Sequence, residues 1–214
     1  MMRVAVLGGT GYAGAHVVRE VADRGHEVIA VARRLPDDPL DGVTYTAGDV
    51  TDEVTLAEIV RSADVVVSAL AARADMAGRV AETIRMLAEL AAASGTRVAV
   101  IAGAGGLRLE AGGPRLIDTP AYPDSGRPMG LEMIDVYEHL RTADEALDWF
   151  VICPAQRFTR SNPGVRTGRY RVGGDVLLFD EHGVSDISGA DLAVAILDEI
   201  ERPQHRRERF GVAY

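Results

Sequence analysis

The sequence predicts an α/β domain, Rossmann-like in plan: a doubly wound, mostly parallel sheet with helices on both faces. Three observations carry that prediction. Short β-branched apolar runs alternate with longer stretches of helical periodicity along most of the 214 residues. The runs are apolar throughout, as strands buried on both faces are, rather than alternating apolar and polar. The β-then-α order calls for right-handed crossovers between parallel strands.

Arg3 to Leu7 is the first strand, and Tyr12 to Arg24 is a helix with Ala15, Val18, Val21 and Ala22 on one face. Gly25 stands where a helix C-cap wants glycine. Glu27 to Ala32 and Val43 to Ala47 are the next two strands, and Asp52 caps a helix that runs to Ser62. Asp64 to Ser68 is a fourth strand, Ala74 to Ala93 a long helix ended by Gly95, and Arg97 to Ile101 a fifth strand. Gly103 to Gly130 is rich in Gly and Pro and reads as a long loop over one edge of the sheet; loops of that length usually cover a site. Met129 to Leu147 returns to helix, and Trp149 to Cys153 is a sixth strand stopped by Pro154. Short strands are expected at Arg169 to Val172, Val176 to Phe179 and Arg209 to Tyr214. Ser188 and Asp191 resemble a capping box for a helix over Leu192 to Glu201. The chain is read as one domain over residues 1–214, with about 155–190 forming a small subregion on the substrate side.

Composition narrows the function classes. The formal charge is −9 and the pI about 5.0, without a long basic stripe, which disfavours nucleic acid and acidic membrane surfaces as partners. A small-molecule substrate is the expectation, with a monomer or homodimer as the assembly. All 23 basic residues are arginine, so Schiff-base chemistry and lysine proton relays are excluded. The single cysteine, Cys153, rules out an internal disulfide, and its apolar neighbours point to a buried structural thiol. No cluster has metal-ligand spacing, and no Gly-x-Ser-x-Gly elbow supports serine hydrolysis. The opening apolar run ends at glycines and is too short for a signal core or a membrane span, so the cytoplasm is the expected location.

The strongest motif is the turn from Gly8 to Gly14, which fits G-x-G-x-x-G through Gly9, Gly11 and Gly14. Its context gives it weight: it follows a strand and opens a helix at the start of a βαβ unit. An early glycine permits the tight turn, Gly11 lets the backbone approach a pyrophosphate, and Gly14 lets the helix pack closely on the strand. Thr10, Tyr12 and Ala13 lie in the same turn, where a helix N-terminus offers N–H groups to phosphates. The fold is then a Rossmann-type dinucleotide site. Its second strand ends in Arg33 and Arg34 with no acid before Asp37, which favours the 2′-phosphate of NADP(H) over the ribose hydroxyls of NAD(H). The alternative for either arginine is a solvated surface role. Asp49 and Val50 follow the third strand beside the expected adenine, although Asp49 also suits a turn ahead of a helix. Ala69, Leu70 and Gly103 end the next strands, where backbone contacts to the cofactor are expected.

Together these segments resemble the atypical short-chain dehydrogenases, in their NmrA-like NAD(P)-binding branch. The shared segments are Val4–Gly11, Arg24–Val28, Gly48–Val50 and Asp64–Val67. Arg166–Arg171, Ser185–Ser188, Asp191–Ala193 and Asp198–Glu201 are similar, more narrowly, to the bacterial NADH-flavin reductase family. The resemblance implies hydride transfer from a reduced nicotinamide to a flavin or similar acceptor. It also leaves a second reading, a dinucleotide-binding redox sensor without turnover.

Typical short-chain dehydrogenases pair Tyr-x-x-x-Lys with a serine. Tyr137 here has Arg141 at the lysine position, and the fifth strand leads into Ala102-Gly103-Ala104-Gly105 without a serine. Tyr137 and His139 are therefore weak catalytic candidates; Tyr137 reads as an ordinary helix residue and His139 as a surface side chain. The missing relay suits flavin- or quinone-type acceptors, for which positioning matters most. Gly105, Tyr122, Pro154 and Phe158 are candidate walls of an apolar stacking cleft. Arg166-Thr167-Gly168 either meets an anionic substrate group or forms a turn paired with Asp186.

Overall fold

A computed structural model describes all residues from Met1 to Tyr214. Eight strands form one sheet: β1 (Arg3–Leu7), β2 (Glu27–Ala32), β3 (Val43–Ala47), β4 (Val65–Ser68), β5 (Arg97–Ile101), β6 (Trp149–Pro154), β7 (Arg171–Val172) and β8 (Glu208–Ala213). Their order is β3-β2-β1-β4-β5-β6-β8-β7. All neighbours are parallel except β7, which runs antiparallel to β8. The chain moves outward from β1 through β3 on one side, then restarts at β4 and moves the other way. That reversal is the switch point at which such sheets bind ligands, outside the carboxyl ends of the strands.

Five helices cover the sheet: α1 (Tyr12–Asp23), α2 (Glu53–Arg61), α3 (Val80–Ser94), α4 (Arg127–Thr142) and α5 (Gly189–Glu201). The period-two alternation of strand side chains divides the core. Ala5, Leu7, Val98, Val100, Trp149, Val151 and Cys153 pack toward α2, α3 and α4. Val4, Val6, Ala99, Phe150, Ile152 and Phe210 pack toward α1 and α5. Burial on both faces explains why the central strands lack polar alternation, whereas β3, at the edge of the sheet, alternates with Thr44 and Thr46 and is partly exposed.

Local chemistry sets the helix ends. Asp52 accepts a hydrogen bond from the Thr55 amide at 2.9 Å, as an N-cap should. Gly95 ends α3 in the left-handed conformation at φ +74°. The expected helix from Ala74 is interrupted: a 3-10 turn at Ala74–Met76 precedes left-handed Gly78, and α3 starts only at Val80. α4 begins before Met129, because Pro128 suits the first helical turn. It stops at Thr142 rather than Leu147, where Arg207 donates to the carbonyls of Ala143, Asp144 and Leu147.

The Gly103–Gly130 segment runs beside the β8–β7 end of the sheet, where Arg108 bridges to Val176 and its amide donates to the Asp175 carbonyl. It forms three 3-10 turns and sinks Leu116 and Ile117 into the protein beside α4. Val176 makes only an isolated bridge to Arg108, so the expected strand over Val176 to Phe179 is absent. Ser188 caps α5, but the Asp191 carboxylate does not return to the Ser188 amide as a capping box requires; the Tyr214 hydroxyl meets that amide instead.

Candidate functional site

The loops after β1, β2, β3, β4, β5 and β6 converge on one cleft of about 940 Å³. At its centre the β1–α1 turn is held from below: the amides of Gly8 and Gly9 both donate to the Val31 carbonyl. Gly8 sits at φ +78°, a conformation that favours glycine. A Cβ on Gly14 would stand 2.2 Å from the Gly8 oxygen, so the helix can approach the turn only with glycine there. Gly14 therefore shapes the site from beneath, while Gly8, Thr10, Gly11, Tyr12 and Ala13 line it.

α1 opens on Gly11 without a side-chain cap or an acid in its first turn. The amides of Tyr12, Ala13 and Gly14 have no acceptor within the protein. Unpaired amides at the positive end of a helix dipole bind anions. The cradle thus fits the pyrophosphate of a dinucleotide, both in the backbone approach it allows and in the donors it offers.

The cation-rich end lies over β2 and β3. Arg33, Arg34 and Asp49 line it with Val50, and so does Arg73, which the sequence reading did not single out. Arg33 is half exposed and forms an ion pair with Asp75, which joins the end of β2 to the loop after β4. Asp49 is partly committed to a turn: its Oδ1 accepts from the Thr51 amide at 3.0 Å and hydroxyl at 2.7 Å. Those two bonds hold its carboxyl below the usual range. Ala69, Leu70 and Gly103 line the middle of the cleft.

Beyond β5 the walls become apolar. Gly126, at the N-cap of α4, and Met129, Gly130, Met133, Ile134 and Tyr137 within it form one stripe that faces the cleft. Tyr122 fits between two glycines: a Cβ on Gly105 would come within 2.9 Å of its ring, and one on Gly130 within 2.6 Å of its hydroxyl. Burial pushes the Tyr122 phenol up. Pro154 and Phe158 close the opposite side, and the Phe158 ring packs on Tyr12 at 5.2 Å between centroids. Cys153 also borders the cleft, but burial pushes its thiol up to about 12, which keeps it un-ionised and unreactive as a nucleophile.

The deep end holds a group that the motif search missed. Arg209, on β8 opposite Val151, has a side chain only 8% exposed. Its Nε and Nη2 both bind Asp175, and its guanidinium lies over the Tyr137 ring at 4.0 Å. Arg141, the residue at the lysine position of the dehydrogenase motif, binds Glu138 at 2.7 Å instead. Burial outweighs Arg209 and raises the Tyr137 pKa, so the phenol stays protonated. Arg209 directly follows Arg206, Arg207 and Glu208, so nothing local sets it apart, and its partners lie far along the chain.

Two expected site features fall elsewhere. His139 does not line the cleft. Arg166 pairs with Glu20, not Asp186, and the amides of Thr167 and Gly168 donate to buried Asp191. That turn is bound to α1 and α5 and does not line the cleft. Of the 155–190 subregion, only its first residues, from Ala155 to Arg160, reach the cleft.

The model of a family described as NAD(P)H-binding matches residues 8–203. The chain belongs to this NAD(P)H-binding family. "Uncharacterized protein YwnB" of Bacillus subtilis (strain 168) is 36% identical over 99% of this chain and 98% of its own length. Among solved structures, a "putative NADH-flavin reductase" from Streptococcus pneumoniae TIGR4 superposes with a TM-score of 0.87 at 31% identity, covering 100% and 99% of the two chains. A "putative exported protein" from Burkholderia pseudomallei gives 0.88 at 36% identity with both chains fully covered. These neighbours agree with the resemblance to atypical short-chain dehydrogenases of the NmrA-like branch. In this NAD(P)H-binding protein no helix is long and apolar enough to cross a membrane.

Proposed function

We propose that the protein is an NADPH-dependent reductase of small conjugated acceptors, flavins or quinones among them. The observation that carries this reading is the continuity of one cleft. It runs from the unpaired α1 amides and the arginines after β2 to an apolar slot along α4. When bound, the reduced nicotinamide supplies the hydride. The chain's own residues bind, orient and exclude water.

The α1 N-terminus holds the pyrophosphate, and Arg33 and Arg34, with Arg73 beside them, meet a 2′-phosphate. Gly103 to Gly106 leave room for an acceptor to stack, and Tyr122, Met133 and Phe158 keep that space apolar. Positioning a flat acceptor against the donor carbon is the main demand of such a transfer. A proton-relay lysine is not needed for it, in keeping with the all-arginine composition. The name of the Streptococcus pneumoniae neighbour supports the same acceptor class.

The test is titration of the purified protein with NADPH and NADH, followed by FMN, riboflavin or a quinone, recorded at the nicotinamide absorbance band. The expected result is acceptor-dependent loss of that band, faster with NADPH. Tight binding with a flat trace across the acceptors replaces this reading with a redox sensor. Absence of binding for both nucleotides overturns it.

A further inference from the structure

We infer that Arg209 is an anion anchor at the deep end of the acceptor slot, so that the preferred acceptor is a conjugated carbonyl compound bearing an acidic oxygen. The inference rests on the reductase reading and adds the chemical class of the acceptor.

Charge balance is the first argument. Asp175 is the carboxylate beside Arg209, and it also faces Arg108 at 3.5 Å. Two guanidinium groups share one carboxylate, and the one that is nearly buried is Arg209. Buried positive charge that is incompletely matched is costly until an anion joins it. The acids that line the cleft, Asp49 and Asp75, both stand at the nucleotide end.

Geometry is the second argument. Asp175 occupies Nε and Nη2 and leaves Nη1 outside the pair. Nη1 lies against Gly106, where an added Cβ would stand 2.8 Å away, so glycine keeps this nitrogen approachable. The Tyr137 ring fixes the guanidinium plane from the other side. The α4 stripe from Gly126 to Tyr137 covers about 16 Å at 1.5 Å per residue. Its side chains between those ends are apolar, so a flat ligand inserted along it meets a single cation at the bottom.

The test compares 1,4-naphthoquinone with 2-hydroxy-1,4-naphthoquinone, which is anionic at neutral pH. Binding is read from quenching of Trp149, the sole tryptophan, whose ring packs edge-on against Tyr137 at 6.2 Å. The hydroxy compound is expected to bind about tenfold or more tightly to the unaltered protein. Arg209→Gln should bring the two affinities together. Gly106→Ala, which sets a methyl against Nη1 and leaves the charge in place, should weaken the anion several-fold more than the neutral quinone.

Equal affinities in the unaltered protein overturn the inference. So does a preference that survives Arg209→Gln or, if that variant does not fold, Gly106→Ala. NADPH titration of the same samples separates the two levels. Equal affinities for the two quinones in the unaltered protein, with NADPH binding and turnover intact, remove the anchor alone, whereas failure of the unaltered protein to bind any nucleotide removes the parent reading.

Discussion

The two ends of the cleft are built by different means. The nucleotide end is made of backbone: Gly8 to Gly14 supply shape and amides, and the strands that hold them, β1 and β2, are neighbours in sequence. Its charged side chains, such as Arg33, are largely exposed. The deep end joins four separate segments, the Gly106 backbone and the side chains of Tyr137, Asp175 and Arg209, and its central charge is buried. A backbone site tolerates almost no change at its glycines and much at its rim. A side-chain site is altered by a change at any of the groups that converge on it.

The sharpest way to break this contrast is at Gly14. Gly14→Val forces side-chain atoms into the Gly8 carbonyl. It is expected to weaken NADPH binding by more than about 100-fold and to destabilise the fold by about 2–3 kcal/mol, read by titration and by urea unfolding. An unchanged affinity would mean that the turn does not hold the nucleotide. At the rim, the double substitution Arg33→Ala, Arg34→Ala should weaken NADPH by about 30-fold and NADH by less than about twofold. Equal losses for both nucleotides would remove the 2′-phosphate assignment.

Gly130→Ala carries the test to the other end. Its methyl would meet Tyr122 Oη at 2.6 Å and Ile117 Cδ1 at 2.8 Å. Steady-state kinetics should show the acceptor KM raised about fivefold with the NADPH Kd unchanged, since the displaced Tyr122 ring stands on the acceptor side.

Asp191 is a buried charge of the other kind, held by hydrogen bonds from neutral donors and not by a counter-ion. Burial pushes its carboxyl up, but donors on Tyr214, Thr167 and Gly168 prevail and hold it below the usual value. Its stabilisation is therefore full above the ordinary aspartate pKa of about 4 and is lost as pH falls through the lower folded value. Asp191→Asn should cost about 2 kcal/mol at neutral pH and flatten the acid limb of a stability–pH profile. The smallest effect is expected at Asp75→Asn. Releasing Arg33 from its ion pair should tighten NADPH by about two- to threefold, because exposed pairs contribute little.

The same contrast explains what the sequence made legible. β1, β2, β3 and β5 lie where periodicity places them, and the loops after six strands meet in one cleft as the doubly wound pattern requires. The glycine turn was readable because its function is encoded in consecutive residues. Tyr137 was found for its spacing from Arg141, which stands 5.9 Å from its ring, yet the nearer cation, Arg209 at 4.0 Å, comes from β8. Arg209 and Asp175 become neighbours only once β8 is inserted between β6 and β7, a pairing that local pattern cannot reveal. The helix expected from Ala74 failed for a related reason. Its apolar spacing was helical, but Gly78 adopts a left-handed conformation and turns the segment into the loop that carries Asp75 to Arg33.

The separation of the two ends also bears on how such a protein can change over evolutionary time. A substitution at Arg209, Tyr137 or Gly106 alters what the slot accepts while the β1–α1 turn, on the far side of the switch point, keeps its shape. Under the proposed reductase reading, descendants of one ancestor can diverge in diet while sharing a single electron source. The strand β8, next to the edge of the sheet, is the interchangeable part.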